Sequence, residues 1–105
     1  IYLIDNESRI ICLNKNTGEI YWINQLDKFK RGDSFKNLNL WKGPYLINSI
    51  LYTISYFGEL ISISPLTGEI LSDKKLGVSE IYSPLIILNS QFLVTNSNGN
   101  IYSFK

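Results

Sequence analysis

Histidine and methionine are absent from this 105-residue chain, and cysteine occurs only once. Without imidazole, neither a histidine general base nor a histidine-ligated metal site can be built from these residues. A lone cysteine, Cys12, excludes an intrachain disulfide and leaves the redox compartment unread. No apolar run approaches the ~20 residues of a bilayer-spanning helix. A basic stretch leading into an apolar core, the mark of a targeting peptide, is also missing. Net charge is nearly absent too. Ten basic residues meet nine acidic ones, for +1, so electrostatics alone selects no partner.

What charge there is sits unevenly. Residues 27–42 carry five basic and two acidic side chains, and the remainder five and seven. The chain opens inside an apolar run and closes on an unfinished repeat, which reads as an excerpt of a longer protein. An open repeat array leaves both end units uncovered, so self-association of the isolated chain is expected.

The repeat is the most informative feature present. Ile1 to Leu26 lies over Leu51 to Leu76 without a gap, with eight of 26 positions identical, including Thr-Gly-Glu-Ile at 17–20 and 67–70. A third, shorter copy runs from Phe92 to Phe104 over Leu51 to Ile63, with Gly99 where Gly58 stands. Self-similarity at this period marks a repeat architecture, in which each unit buries a face against the next.

Apolar segments of four to eight residues, rich in Ile, Leu, Val, Tyr and Phe and bounded by turn residues, predict strands. One repeat holds four, at Tyr45–Ile47, Ile50–Ser55, Glu59–Ser64 and Glu69–Lys74. Gly58 and Asn98-Gly99 supply the positive φ that a tight hairpin needs. Gly18 and Gly68 close a longer turn after Asn14 and Ser64. Ser8 replaces the hairpin glycine in the first copy, so a wider turn is expected over residues 5–8. Within the strands apolar residues do not alternate cleanly with polar ones, which predicts sheets covered on both faces.

Four antiparallel strands per repeat of roughly 40–50 residues predict an all-β fold, a partial β-propeller of two to three four-stranded blades. Residues 1–26 supply strands two to four of one blade, 27–43 a connection, 44–76 a complete blade, and 77–105 strands one to three of another. The turns at 5–8, 56–58 and 96–99 then share a face with the positively charged connection.

The run apolar-Tyr-x-apolar, turn, apolar-apolar-small-apolar, then Thr-Gly-Glu-apolar-x-Trp resembles the PQQ-type propeller repeat. It reads Ile1–Ile4, Ile10–Leu13 and Thr17–Trp22, and covers nearly the whole chain apart from residues 27–42. The resemblance implies that Thr17, Gly18, Glu19 and Trp22 form the fourth strand's docking motif, with Trp22 packing between blades. The second copy keeps Thr67, Gly68 and Glu69 but has Ser72 at the Trp position, which implies weaker docking there. Compact repeats favour the BamB-type lipoproteins of the outer-membrane β-barrel assembly machine. These are non-enzymatic periplasmic scaffolds that bind protein partners. The other branch, the PQQ-dependent dehydrogenases, carries a calcium-bound quinone and a vicinal Cys-Cys pair absent from these residues. The scaffold branch implies no cofactor, no nucleic acid and no transmembrane segment in this chain.

Candidate chemistry is sparse. Cys12 aligns with Ser62 and Ser103, a small position in every copy, and reads as a buried spacer; Arg9-Ile10-Ile11 before it is no lipobox. Glu19 and Glu69 hold equivalent places, which points to turn structure and not to an acid–base pair. Asp5, Asn6 and Glu7 lack the glycine and further ligand of a calcium loop and read as a solvated turn. Arg31-Gly32-Asp33 and the sequon Asn6-Glu7-Ser8 are short matches that carry no weight. In residues 27–42 the lysines interleave with aromatics, but the charge is too small for a phosphate-binding surface. Leu38, Leu40 and Trp41 are expected to pack back on the sheets. Phe29, Arg31 and Phe35 remain as candidate partner-binding residues on a loop of a rigid scaffold.

Overall fold

A computed structural model describes residues 1–26, 40–77, 80–81, 85–88 and 91–104. Every regular element among them is a β-strand. The first sheet contains β1 (Tyr2–Ile4), β2 (Arg9–Leu13) and β3 (Ile20–Gln25). The second contains β4 (Trp41–Ile47), β5 (Ile50–Ser55), β6 (Glu59–Ile63) and β7 (Ile70–Lys75). The third contains β8 (Ile86–Leu88), β9 (Gln91–Thr95) and β10 (Ile101–Phe104). Each is an antiparallel meander with its strands in chain order. The fold is all-β, with three consecutive antiparallel sheets of three or four strands.

Strand positions follow the expectation, with shifted ends. β4 starts at Trp41 and not at Tyr45, because Trp41 and Lys42 already pair with Ser55 and Ile54 ahead of an irregularity in the register. Leu40 departs from its expected packing and is 58% exposed. Its carbonyl accepts a hydrogen bond from the Tyr56 amide at 2.7 Å, and successive side chains of an extended segment point to opposite sides. Trp41 therefore takes the core side, against the cluster that contains Leu51 and Ile61. Leu38 lies outside the described residues.

Register explains how the sheets pack. Paired residues share a face, so Tyr2, Cys12 and Trp22 form one row of the first sheet, and Ile4, Ile10 and Asn24 the next. Tyr2, Ile4, Ile10 and Trp22 pack in one cluster with Leu51, Ile61 and Ile63 of the second sheet. The opposite face of the second sheet carries Tyr52, Ile54 and Leu60, which cluster with Phe92, Val94, Tyr102 and Phe104 of the third. The middle sheet is thus covered on both sides at its central strands, where all five residues of β6 are buried, while the edge strand β7 is exposed throughout. This accounts for the missing alternation, since a strand with two dry faces has no reason to place polar residues at every second position.

The hairpin turns repeat in detail. Amides of Ser8, Gly58 and Gly99 donate to carbonyls of Asp5, Ser55 and Asn96 at 3.2, 3.1 and 3.0 Å. The turn at 5–8 is therefore no wider than its counterparts. Ser8 adopts the left-handed conformation itself, with φ of 60°, where Gly58 and Gly99 have 88° and 82°.

Candidate protein-interaction surfaces

The two Thr-Gly-Glu turns share their backbone and threonine hydrogen bonds. Asn14 and Ser64 each accept the amide of the glycine four residues on, Gly18 and Gly68, at 2.8 and 2.9 Å. The hydroxyls of Thr17 and Thr67 accept the amides of Glu19 and Glu69, both at 3.2 Å. Both glutamate side chains are exposed. These glutamates belong to turns, as their equivalence implies.

What distinguishes the two turns is Trp22. Its indole Nε1–H donates to the Pro65 carbonyl at 3.0 Å, and the Asn24 amide donates to the Gly68 carbonyl at 2.7 Å. The Tyr2 hydroxyl reaches the same Pro65 carbonyl at 3.5 Å, with the Tyr2 and Trp22 rings 6.1 Å apart. A Cβ on Gly68 would lie 2.4 Å from Trp22 Cε3, whereas one on Gly18 would meet nothing within 4 Å. Gly68 thus serves twice, giving the turn its φ of +79° and leaving room for the indole. Ser72, at the Trp22 position of the second copy, instead hydrogen-bonds Ser62 across its own sheet. Cys12 and Ser62 are buried spacers, while Ser103 in the third copy is exposed.

Beside this contact, Tyr2, Leu46, Ile50, Pro65, Leu66 and Leu71 line an open apolar cleft of about 470 Å³, edged by Ser49 and Ser64. Leu66 is 86% exposed. The only sequence signal for this cleft is a large apolar residue in the turn where the first copy has Asn16.

The opposite rim gathers the hairpin turns and the starts of the connections. The amides of Leu26 and Leu76 donate to the carbonyls of Ser8 and Gly58 at 2.8 and 2.9 Å. Leu40 returns to the same rim through its bond from Tyr56. The next connection follows suit, with Ile81 N–H bonded to the Tyr56 carbonyl and Ser97 N–H to the Glu80 carbonyl. Glu80 Oε2 also accepts the Ser97 hydroxyl at 2.7 Å. Three turns, Leu26 and Leu40 therefore share one rim. Phe29, Arg31 and Phe35 themselves lie outside the described residues.

Two features of this rim escaped sequence reasoning. Tyr56 and Phe57 form an edge-to-face pair, with centroids 5.0 Å apart at 89°. They occupy turn positions held by Asn6 and Glu7 in the first copy, and that substitution was the available signal. Asp5, read as a solvated turn residue, works as the turn's cap. Its carboxylate accepts the amides of Glu7 and Arg9 at 2.9 Å and Arg9 Nε at 2.8 Å. The Arg9 amide first, then the Arg9 side chain, holds the carboxyl below its ordinary value. Ser55 and Asn96 cap their own turns in the same way. A carboxylate so engaged is spent on the backbone, and among the described residues no group of three acidic, cysteine or histidine side chains is placed to hold a metal.

No helix among the described residues is long and apolar enough to cross a membrane. No protein-family model matches the chain, and neither does any curated protein.

Proposed function

We propose that this chain is a section of a PQQ-repeat β-propeller that serves as a non-enzymatic scaffold for protein partners. Its role is of the BamB type, in outer-membrane protein assembly on the periplasmic side. The observation that carries this reading is the rim on which three hairpin turns, Leu26 and Leu40 meet. Rigid sheets holding adaptable turns side by side are a common way of presenting a recognition surface. Tyr56 and Phe57 add what such a surface needs, a half-exposed aromatic pair of the kind that anchors interfaces. The repeat residues Thr17, Gly18, Glu19, Trp22, Thr67, Gly68 and Glu69 hold the frame and take no part in recognition.

The test is binding of an unfolded outer-membrane β-barrel protein, diluted from denaturant and followed by fluorescence anisotropy. Binding to the wild-type chain is expected. It should weaken at least tenfold in a Tyr56→Ser/Phe57→Ser variant, and again when Phe29, Arg31 and Phe35 are replaced by Ser. Stability should change by no more than ~0.5 kcal/mol on the second replacement. Absence of binding by the wild type, or calcium-dependent binding of the quinone cofactor, would refute the scaffold.

A further inference from the structure

Of the eleven asparagines in the chain, Asn98 alone precedes a glycine. That neighbour matters because a backbone nitrogen can attack the side-chain carbonyl carbon of the residue before it, and a Cβ on the attacking residue obstructs the approach. Asn98 and Gly99 stand in the hairpin turn between β9 and β10, and both are exposed. A Cβ on Gly99 would meet nothing within 4 Å, so no neighbouring group blocks the attack. The Asn98 carboxamide takes no part in the hydrogen bonds of the turn, which run through Asn96. Such a turn stays open to water even where a connection passes beside it. In the first copy Leu26 bonds to Ser8, and Asn6 and Glu7 remain exposed.

What restrains the reaction is the turn itself. Gly99 N–H donates to the Asn96 carbonyl at 3.0 Å, and Asn96 Oδ1 accepts the amides of Asn98 and Asn100 at 3.1 and 3.2 Å. The Gly99 nitrogen must leave its bond before it can lose a proton and turn toward Asn98 Cγ. Exposed turns open locally at far less cost than the whole fold.

We propose that Asn98 is a self-modification site, converted to aspartate and isoaspartate when the 96–99 turn opens and Gly99 attacks. The Gly99 nitrogen gives its proton to water and bonds to Asn98 Cγ. The Cγ–Nδ2 bond breaks, and ammonia leaves with a proton taken from solvent. The resulting succinimide takes up one water: opening at Cγ gives aspartate, and opening at the main-chain carbonyl gives isoaspartate. Water is the only co-reactant, and nothing is oxidised or reduced. Aspartate at position 98 puts a carboxylate where the first copy already carries Glu7, whose amide is held by Asp5 as that of Asn98 is by Asn96. Isoaspartate instead routes the main chain through Cγ, one atom longer. That displaces the Gly99 bond and the Ile101–Thr95 pair beside it. Val94 and Tyr102, the next pair, pack against the second sheet, so the third sheet's hold loosens with it. The chemistry needs only the turn and water, and is independent of whether the rim binds a partner.

The test is mass-spectrometric peptide mapping of the 105-residue chain, held at mildly alkaline pH and physiological temperature. Asn98 should convert before any other asparagine, giving two separable peptides of the amide-to-acid mass and one ammonia per converted chain. In urea conversion should be at least about tenfold faster, because the turn no longer holds Gly99. Gly99→Ser should slow it at least about tenfold in urea, where only the added side chain is at issue. Asn96→Ala should speed conversion in native buffer and leave the rate in urea unchanged. Asn96→Asp, with a carboxylate cap like that of Asp5, should stay near the wild-type rate in both. No conversion at Asn98, equal rates in native buffer and urea, or a wild-type rate in Gly99→Ser or in native Asn96→Ala would overturn the proposal.

Discussion

Gly18 and Gly68 sit in the same Thr-Gly-Glu-Ile sequence with nearly the same φ, yet they answer to different constraints. At Gly18 only the backbone matters, because open space surrounds the missing side chain. At Gly68 the indole of Trp22 fills the place a methyl would take. Gly18→Ala should cost about 1–2 kcal/mol, the usual cost of an L-residue in the left-handed region. Gly68→Ala carries that cost plus the strain of displacing an aromatic ring, about 1–3 kcal/mol more. Urea unfolding of the two variants checks this, and equal losses would mean that the indole does not rest on Gly68.

At the scale of the element, the hairpin is the unit that repeats most faithfully. Asp5, Ser55 and Asn96 share no chemistry beyond a side-chain oxygen one bond from reach of the backbone, and each caps its turn. Position four of the turn tolerates serine in one copy, with φ of 60°. Gly99→Ser should therefore keep the register of β9 and β10, Ile101 opposite Thr95, while lowering stability by about 1 kcal/mol. Cross-strand nuclear Overhauser contacts and the unfolding midpoint report the two halves of this expectation; loss of the register would show that the turn, and not the strand pairing, sets it. The wider turn expected from Ser8 fails for the same reason. Glycine is the easiest residue at positive φ, but a residue held by its bonds to Asp5 and Leu26 can be driven there. Strand ends were legible to within a few residues, because pairing partners and not propensity decide them: Trp41 and Lys42 join β4 only because β5 is long enough to meet them.

For the molecule as a whole, the sequence made the stacking of sheets readable and its partner surfaces much less so. Repeated apolar rows and the identical turns identify which faces must meet, since burial acts on every copy alike. Tyr56, Phe57 and the cleft around Leu66 lie in turns where the copies differ, and difference between copies carries no pattern from which to predict. The central claim is that the first sheet lies on the second through Trp22 and the turn at Gly68. The Hα chemical shifts of Gly68 and Gly18, two glycines in the same tetrapeptide sequence, test it most directly. The indole over Gly68 should move one of its Hα resonances well upfield and give an Overhauser contact to the Trp22 ring, while Gly18 keeps ordinary shifts. The upfield shift should vanish in Trp22→Leu. Matching, unshifted Hα resonances at both glycines would contradict the stacking from which the rest of the account is built.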